Sequence, residues 1–291
     1  MRLPPSAELV LAVLAVSTAA VLIKACQVPP LGIAAWRLGL ASLGFLAVCA
    51  WKRRSPLAAF AGRPAREVVP VAAAGVLLGL HFAAWIGSLS FTTVAASVVL
   101  VTTNPLWVGL GSWLLLREPP GRSLWEGLAL ALAGSALVTL AGGASSGQAP
   151  APLLGNGLAL AGALAASGYM LAGRQAQRGV DLLSYVTVVY TVGAGVLGVL
   201  ALLAGTPLVG YPARDWALLL LLAAVPQALG HTLLNRSLRV FPASVVAVAL
   251  LGEPVGASVL AWLALGQAVG PGEAFGAALI LGGVARATRS R

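Results

Sequence analysis

Charge is the first thing this sequence lacks. Only 9% of its 291 residues are Asp, Glu, Lys or Arg, against about 25% in a soluble domain. Residues 68–116 and 127–173 contain none. Each run exceeds the roughly 20 residues that carry a helix across a bilayer, so each holds two spans and a concealed turn. A hydrophobic share of 59% and a mean hydropathy of +0.94 exclude a soluble core. The fold class that follows is an all-α polytopic membrane protein. Alternating strands for a β-barrel are missing too.

Other absences narrow the function. There are two histidines, no H-E-x-x-H, no Walker A loop and no nucleophile–base set, which argues against an enzyme and against ATP as a direct energy source. Neither a cofactor nor a metal site is expected. The two cysteines, Cys26 and Cys49, fall near opposite ends of the first two helices, an arrangement that disfavours a disulfide. The net charge of +10 does not indicate nucleic acid, because no basic stretch is interleaved with aromatics for stacking. Arg2 and the apolar run after it resemble a signal peptide, but no A-x-A site follows and the run ends at Lys24. It reads as an uncleaved first helix.

What the chain does contain is organised around two dipeptides. Asn104-Pro105 lies in one long apolar run and Glu253-Pro254 in another, 149 residues later. The same offset pairs Leu80 with Leu229, Ser88 with Ser237, Trp113 with Trp262, Gly127 with Gly276 and Gly134 with Gly283. This is an internal duplication of about half the chain. Each proline removes one N–H and frees the carbonyl four residues back, at Val101 and Leu250. Inside a membrane such a break is tolerated only where protein or water satisfies the freed group. Interrupted helices at equivalent places in two halves point to a transporter's binding site.

Ten spans are expected, at about 7–23, 31–51, 68–89, 93–116, 124–141, 153–173, 182–204, 216–235, 242–265 and 273–286. Residues 1–141 form the first five-helix repeat, 142–152 a Gly/Ser/Pro-rich linker, and 153–291 the second repeat. With the N-terminus in the cytoplasm, fifteen Lys and Arg lie inside and only Lys24 and Arg214 outside, which sets the orientation. Both termini are then cytoplasmic, the linker is periplasmic, and the membrane is the cell's inner one. Five is odd, so the second repeat enters from the opposite side, an inverted-topology arrangement suited to alternating access.

At this point the chain resembles a drug/metabolite transporter of the ten-helix EamA type. The resemblance is carried by Pro29-Pro30 with Trp36-Arg37, by Trp85-Ile86-Gly87-Ser88-Leu89 with Ser97, and by Asn104-Pro105-Leu106 with Leu116-Arg117-Glu118. In the second half it is carried by Ser237-Leu238-Arg239, Pro242-Ala243-Ser244 and Glu253-Pro254-Val255, with Gly127, Gly134, Gly276 and Gly283. It implies a central cavity walled in part by the third, fourth, eighth and ninth helices. It also implies export of metabolites, as in similar exporters of aromatic amino acids. One departure is Gln267, which stands where the second repeat would repeat the acid of Glu118.

The polar residues inside the spans are the site candidates. Glu253 is the only acid deep in a span, about 16 Å from the helix start at 1.5 Å per residue, and an intramembrane acid is a functional hypothesis by default. The bland alternative is a packing carboxylate paired with a base or held protonated. Asn104 is its counterpart, with kink-holding as the alternative role. His81 and Trp85 share a face of the third helix; the alternative for His81 is a bond to a neighbouring carbonyl. Gln227, His231 and Asn235 form a stripe on the eighth helix, with Gln227 and His231 toward the cavity and Asn235 at the wet end. Tyr169 and Trp107 would wall an aromatic pocket or simply pack. Arg37 reads as structural, snorkelling outward. Trp51, Trp125 and Trp216 read as interfacial anchors. Gly75–Gly79 and Gly272–Gly276 have GxxxG spacing.

The function expected is a secondary transporter exporting a small metabolite, an amino acid or an aromatic-bearing compound. The two repeats would rock about Asn104 and Glu253, with Pro105 and Pro254 as the helix breakers. Its partners are the small-molecule substrate, the lipid bilayer and, as a candidate coupling ion, protons. The alternatives are a drug or sugar-type carrier of the same fold, or a membrane-embedded enzyme or accessory scaffold.

Overall fold

The computed structural model describes residues 3–92, 94–141, 150–177, 179–265 and 270–288. They form ten helical segments, two of them broken in the middle, with no strand among them. The first repeat contains α1 (Pro5–Ala25), α2 (Pro30–Trp51), α3 (Ala65–Ser88), the two halves α4a (Val94–Val101) and α4b (Asn104–Leu116), and α5 (Arg122–Ala141). The second contains α6 (Pro152–Ala176), α7 (Leu182–Leu203), α8 (Ala213–Ser237), the halves α9a (Ala243–Leu250) and α9b (Glu253–Leu265), and α10 (Pro271–Thr288). Eight of these segments are long and apolar enough to cross a membrane alone. The other two, α5 and α10, pack along one another.

Proline sets where many of these helices start. Pro5, Pro30, Pro105 and Pro152 occupy the first two positions of their helices, where the missing N–H would have had no intrahelical partner. Helix α7 starts differently, with the Asp181 carboxylate accepting from Ser184 N at 3.1 Å. Between α2 and α3 the expected basic loop holds a short 3₁₀ turn, Pro56–Phe60. Of the linker, 142–149 lies outside the described residues, as do Gln267 and the last three positions. The linker's end is tied down: Ala151 N donates to Phe91 O at 3.2 Å, and Thr92 Oγ1 donates to Asn156 Oδ1 at 2.7 Å.

Lipid offers apolar side chains no advantage of burial, so close helix contact depends on small residues. At the α5–α10 crossing a Cβ on Gly127 would collide with the carbonyl of Gly283, and one on Gly134 with that of Gly276. These four glycines are the two repeat-related pairs, exchanged across the crossing. Gly75 and Gly79 let α3 approach α7 at Val192 and Gly193. Repeat-related residues also meet directly. Ser42 and Thr191 share a hydrogen bond of 2.7 Å, and Phe82 and His231 pack edge to face at 5.5 Å.

The two ends of the bundle differ in charge. At the end where α1 starts, Glu8 pairs with Arg236, Glu118 with Arg174, and Glu126 with both Arg122 and Arg286. Arg174 also donates to Leu238 O at 2.6 Å, joining α6 to the end of α8. At the other end Trp36 Nε1 donates to Leu208 O at 2.6 Å and packs on Trp216 at 4.8 Å. Trp216 is therefore partly a packing residue. Trp51 is 80% exposed at its helix end, as an interfacial anchor would be.

Candidate functional site

The two prolines break their helices where the sequence predicts. Pro105 cannot donate to Val101, and the chain leaves α4a through a turn at Thr102 and Thr103. Their hydroxyls stay within the broken segment: Thr102 Oγ1 donates to Val99 O at 3.0 Å and Thr103 Oγ1 to Leu100 O at 2.6 Å. In the second repeat Leu251 N donates to Val248 O and Gly252 N to Ala249 O, both at 3.0 Å. Asn104 and Glu253 thereby become the first residues of the new half-helices α4b and α9b. A helix N-terminus carries partial positive charge, and here two such termini lie within the membrane.

Both breaks face one cavity of about 120 Å³. A single water needs roughly 10–15 Å³ by the same measure, so there is room for several waters or a small solute. Val101 and Leu250, the residues whose carbonyls the prolines free, are in the wall together with Asn104, Pro105 and Glu253. Helices α1, α2, α3, α6 and α8 supply the rest.

The structure brings His81, Trp85, Asn104, Tyr169, His231 and Glu253 together around this cavity. His81 Nδ1 lies 2.9 Å from Gly162 O. The bond fits the Nδ1–H tautomer, which leaves Nε2 as an acceptor. The carbonyl partner and the cavity position thus coexist. Its ring stacks on Trp85 at 5.8 Å with the planes 11° apart. Trp85 Nε1 and His231 Nδ1 are buried without hydrogen-bond partners among the described residues. Tyr169 donates its hydroxyl to Asn235 Oδ1 at 2.8 Å, and Asn235 Nδ2 donates to His231 O at 2.8 Å. Asn104 is held through its backbone, where its carbonyl accepts from Ser167 Oγ at 3.0 Å.

Two of the expected residues stand outside the wall. Trp107 turns its Nε1 to Thr103 Oγ1 at 3.2 Å and braces the α4 break. Gln227 is fully buried behind the wall, where its Oε1 accepts from Arg37 Nε at 3.0 Å. Asn235, expected at the wet end of α8, is fully buried and lines the cavity. The reason lies in α8, which is a π-helix from Ala223 to His231 with Pro226 inside it. A π turn takes one residue more than an α turn. The α spacing that would put Gln227 and His231 on one face therefore does not hold there.

Arg37 is the largest correction. It does not snorkel: it is 1% exposed, and its guanidinium carbon lies 4.4 Å from the centre of the Phe82 ring. It lines the cavity with Glu253, yet the two side chains are not in ion-pair contact. The signal for Arg37 was present in its being a lone cation deep in a span, and the helix face it occupies is what depth alone does not give. Chemically the site offers one fixed cation, one acid, two imidazoles and the polar edges of a tryptophan and a tyrosine. Among the described residues no group of His, Cys, Asp and Glu could hold a metal ion.

No curated protein matches the chain. A solved crystal structure superposes on it with a TM-score of 0.82 over 98% of this chain and 97% of the other, at 22% identity. That likeness shows the fold. The pattern of the EamA-like transporter family matches twice, at residues 7–140 and 153–288. Two copies over nearly the whole length leave no other assignment: the chain belongs to the EamA-like transporter family.

Proposed function

We propose that the protein is an inner-membrane secondary transporter that exports a small metabolite, an amino acid or another aromatic-bearing compound, by alternating access. Members of the EamA-like family are transporters rather than enzymes. The observation that carries the finer reading is that one helix break per repeat opens on a shared cavity, with Asn104 at one break and Glu253 at the other. Broken helices at a repeat interface are how transporters place polar backbone and ionisable groups at the midplane. Rocking one repeat against the other would expose that cavity to each side in turn. The stacked His81–Trp85 pair and Tyr169 suit an aromatic or apolar side chain on the cargo.

In this reading the basic end of the bundle faces the cytoplasm, from the fifteen-to-two distribution of Lys and Arg. Residues 52–67 are then cytoplasmic and 142–152 periplasmic. The driving force is a proton gradient acting at Glu253 or the gradient of the substrate itself. Purified protein in proteoliposomes tests this: counterflow of labelled amino acids should fall at least tenfold in Glu253→Gln, and protein-dependent flux of no solute class would refute the reading. Single cysteines at Ser55 and Ser145, in a chain lacking Cys26 and Cys49, test the orientation. An impermeant reagent on intact cells should label position 145 and spare position 55.

A further inference from the structure

Transport alone assigns no role to Arg37. A guanidinium has five N–H donors in a planar fork. Here Nε is used by Gln227 at 3.0 Å, and the face of the group rests on Phe82 at 4.4 Å. Those contacts fix the orientation of the fork. They leave Nη1 and Nη2 without a hydrogen bond among the described residues. Arg37 as a whole is 1% exposed. These donors belong to a residue in the cavity wall.

The wall's other formal charge is Glu253. Its carboxylate makes no hydrogen bond or ion pair among the described residues. Both line the same cavity, and no ion pair or hydrogen bond joins them. Two opposite charges in the wall of one cavity, not joined to each other, suit a molecule that carries both complementary charges.

We infer that Arg37 and Glu253 are the two halves of a clamp, Arg37 taking a carboxylate and Glu253 an ammonium group, so that the cargo is a small zwitterion. This rests on the transporter reading above and deepens it. The guanidinium fork matches a carboxylate in two parallel hydrogen bonds, and Gln227 and Phe82 hold it in one plane for that purpose. Glu253 accepts only, when ionised, and an ammonium group donates three ways. A simple anion would meet Arg37 but place its charge near Glu253. A simple cation would do the reverse. Either leaves one charge of the cavity wall unmatched, which is how a site rejects a near relative of its ligand. The unpartnered Trp85 Nε1 and His231 Nδ1 supply further polar contacts beside the clamp.

The test uses wild-type protein in proteoliposomes and two matched series. One is L-phenylalanine, phenethylamine and 3-phenylpropionate; the other is L-leucine, isopentylamine and 4-methylpentanoate. In at least one series the zwitterion should move tenfold or more faster than either truncated analogue. Arg37→Gln should erase discrimination against the amine, and Glu253→Gln discrimination against the acid. Melting temperatures identify a variant that fails to fold, in which case Arg37→Lys, which keeps the charge but loses the fork, replaces Arg37→Gln. Equal movement of an analogue and its amino acid overturns the clamp, as does failure of every common amino acid to move. A parallel panel of labelled sugars, nucleosides, organic cations and dicarboxylates separates the two readings. Flux of one of these without any amino acid refutes the clamp and leaves the transporter standing, and flux of none refutes both.

Discussion

Ser42 and Thr191 hydrogen-bond to each other at 2.7 Å across an interval of 149 residues, the interval that separates Asn104 from Glu253. Equivalent residues of two repeats can touch only where the pseudo-twofold axis passes between them. Phe82 and His231 meet the same condition at the cavity wall. The α5–α10 crossing meets it by exchange, Gly127 on Gly283 and Gly134 on Gly276. The axis therefore passes the α2–α7 contact, the cavity and the α5–α10 crossing.

An axis is where two rocking halves move least relative to each other. Cysteines at Ser42 and Thr191, in a chain lacking Cys26 and Cys49, should oxidise readily, because two oxygens at 2.7 Å imply Cβ atoms near the roughly 3.5–4.5 Å that a disulfide requires. The cross-linked protein should keep more than half of its flux. Efficient cross-linking with complete loss of flux would show that α2 and α7 separate during transport.

Glycine substitutions at the α5–α10 crossing should be costly. A methyl on Gly134 meets the backbone of Gly276 and Ile280 rather than a movable side chain, and overpacking of this kind costs about 1–3 kcal/mol. Gly134→Ala and Gly283→Ala should lower the melting temperature in detergent. Gly195→Ala, in α7 with nothing within 4 Å of the added carbon, should leave it unchanged or raise it slightly, since alanine is the better helix former by about 1 kcal/mol. The opposite signs of the two results are the check.

Much of this architecture is legible in the sequence because the bilayer makes its demands local. A proline in an apolar run must break the helix wherever it falls, so Pro105 and Pro254 announce their breaks. Polar groups in a span must face protein or water, so His81, Trp85, Asn104 and Glu253 announce an interior. Direction around a helix is less local. Trp107 lies three residues past Asn104, yet it turns back to Thr103 instead of into the cavity. Gln227 and Asn235 exchange their expected places because the π stretch Ala223–His231 rotates the register between them, and Pro226 was the one sign of it. Arg37 shows the same limit. Its depth is read from the chain, but the inward face is set by Gln227, 190 residues away.

Asp181 gives a pH-dependent prediction outside the spans. Burial pushes its carboxyl up, but the Ser184 hydrogen bonds outweigh this, helped by Arg54 and Arg239, and hold it below the usual carboxylate range. A depressed folded-state pKa contributes stability that is present above the unfolded value, about 3.9, and lost as pH falls through the folded one. Asp181→Ala removes the cap of α7 and should cost about 1 kcal/mol at pH 7. The gap between variant and wild type should narrow as the pH is lowered below about 4. A gap independent of pH from 7 to 3 would mean that the charge on Asp181 is irrelevant to the cap.

Glu253 decides between a structural pair and a working carboxylate. An ionised acid at mid-bilayer costs on the order of 3 kcal/mol on insertion scales, so its surroundings must offset that. Here it begins α9b, where the helix dipole favours negative charge by roughly 0.3–1 kcal/mol, and it borders a cavity large enough for water. It makes no ion pair with Arg37, which contacts Gln227 and Phe82 instead. Breaking a buried contact pair by removing one partner costs about 3–5 kcal/mol, and removing the other recovers much of it. Without contact, Glu253→Gln should lose far less, and adding Arg37→Gln should recover little. Melting curves of the wild type, both single variants and the double variant give that cycle directly. Flux completes the argument. Glu253→Gln should fold and transport at least tenfold more slowly, and if protons drive export, wild-type flux should respond to an imposed pH gradient while the variant's does not. A stable Glu253→Gln protein with wild-type flux and an unaltered pH response would remove this residue from the mechanism and leave Asn104 and the histidines to carry it.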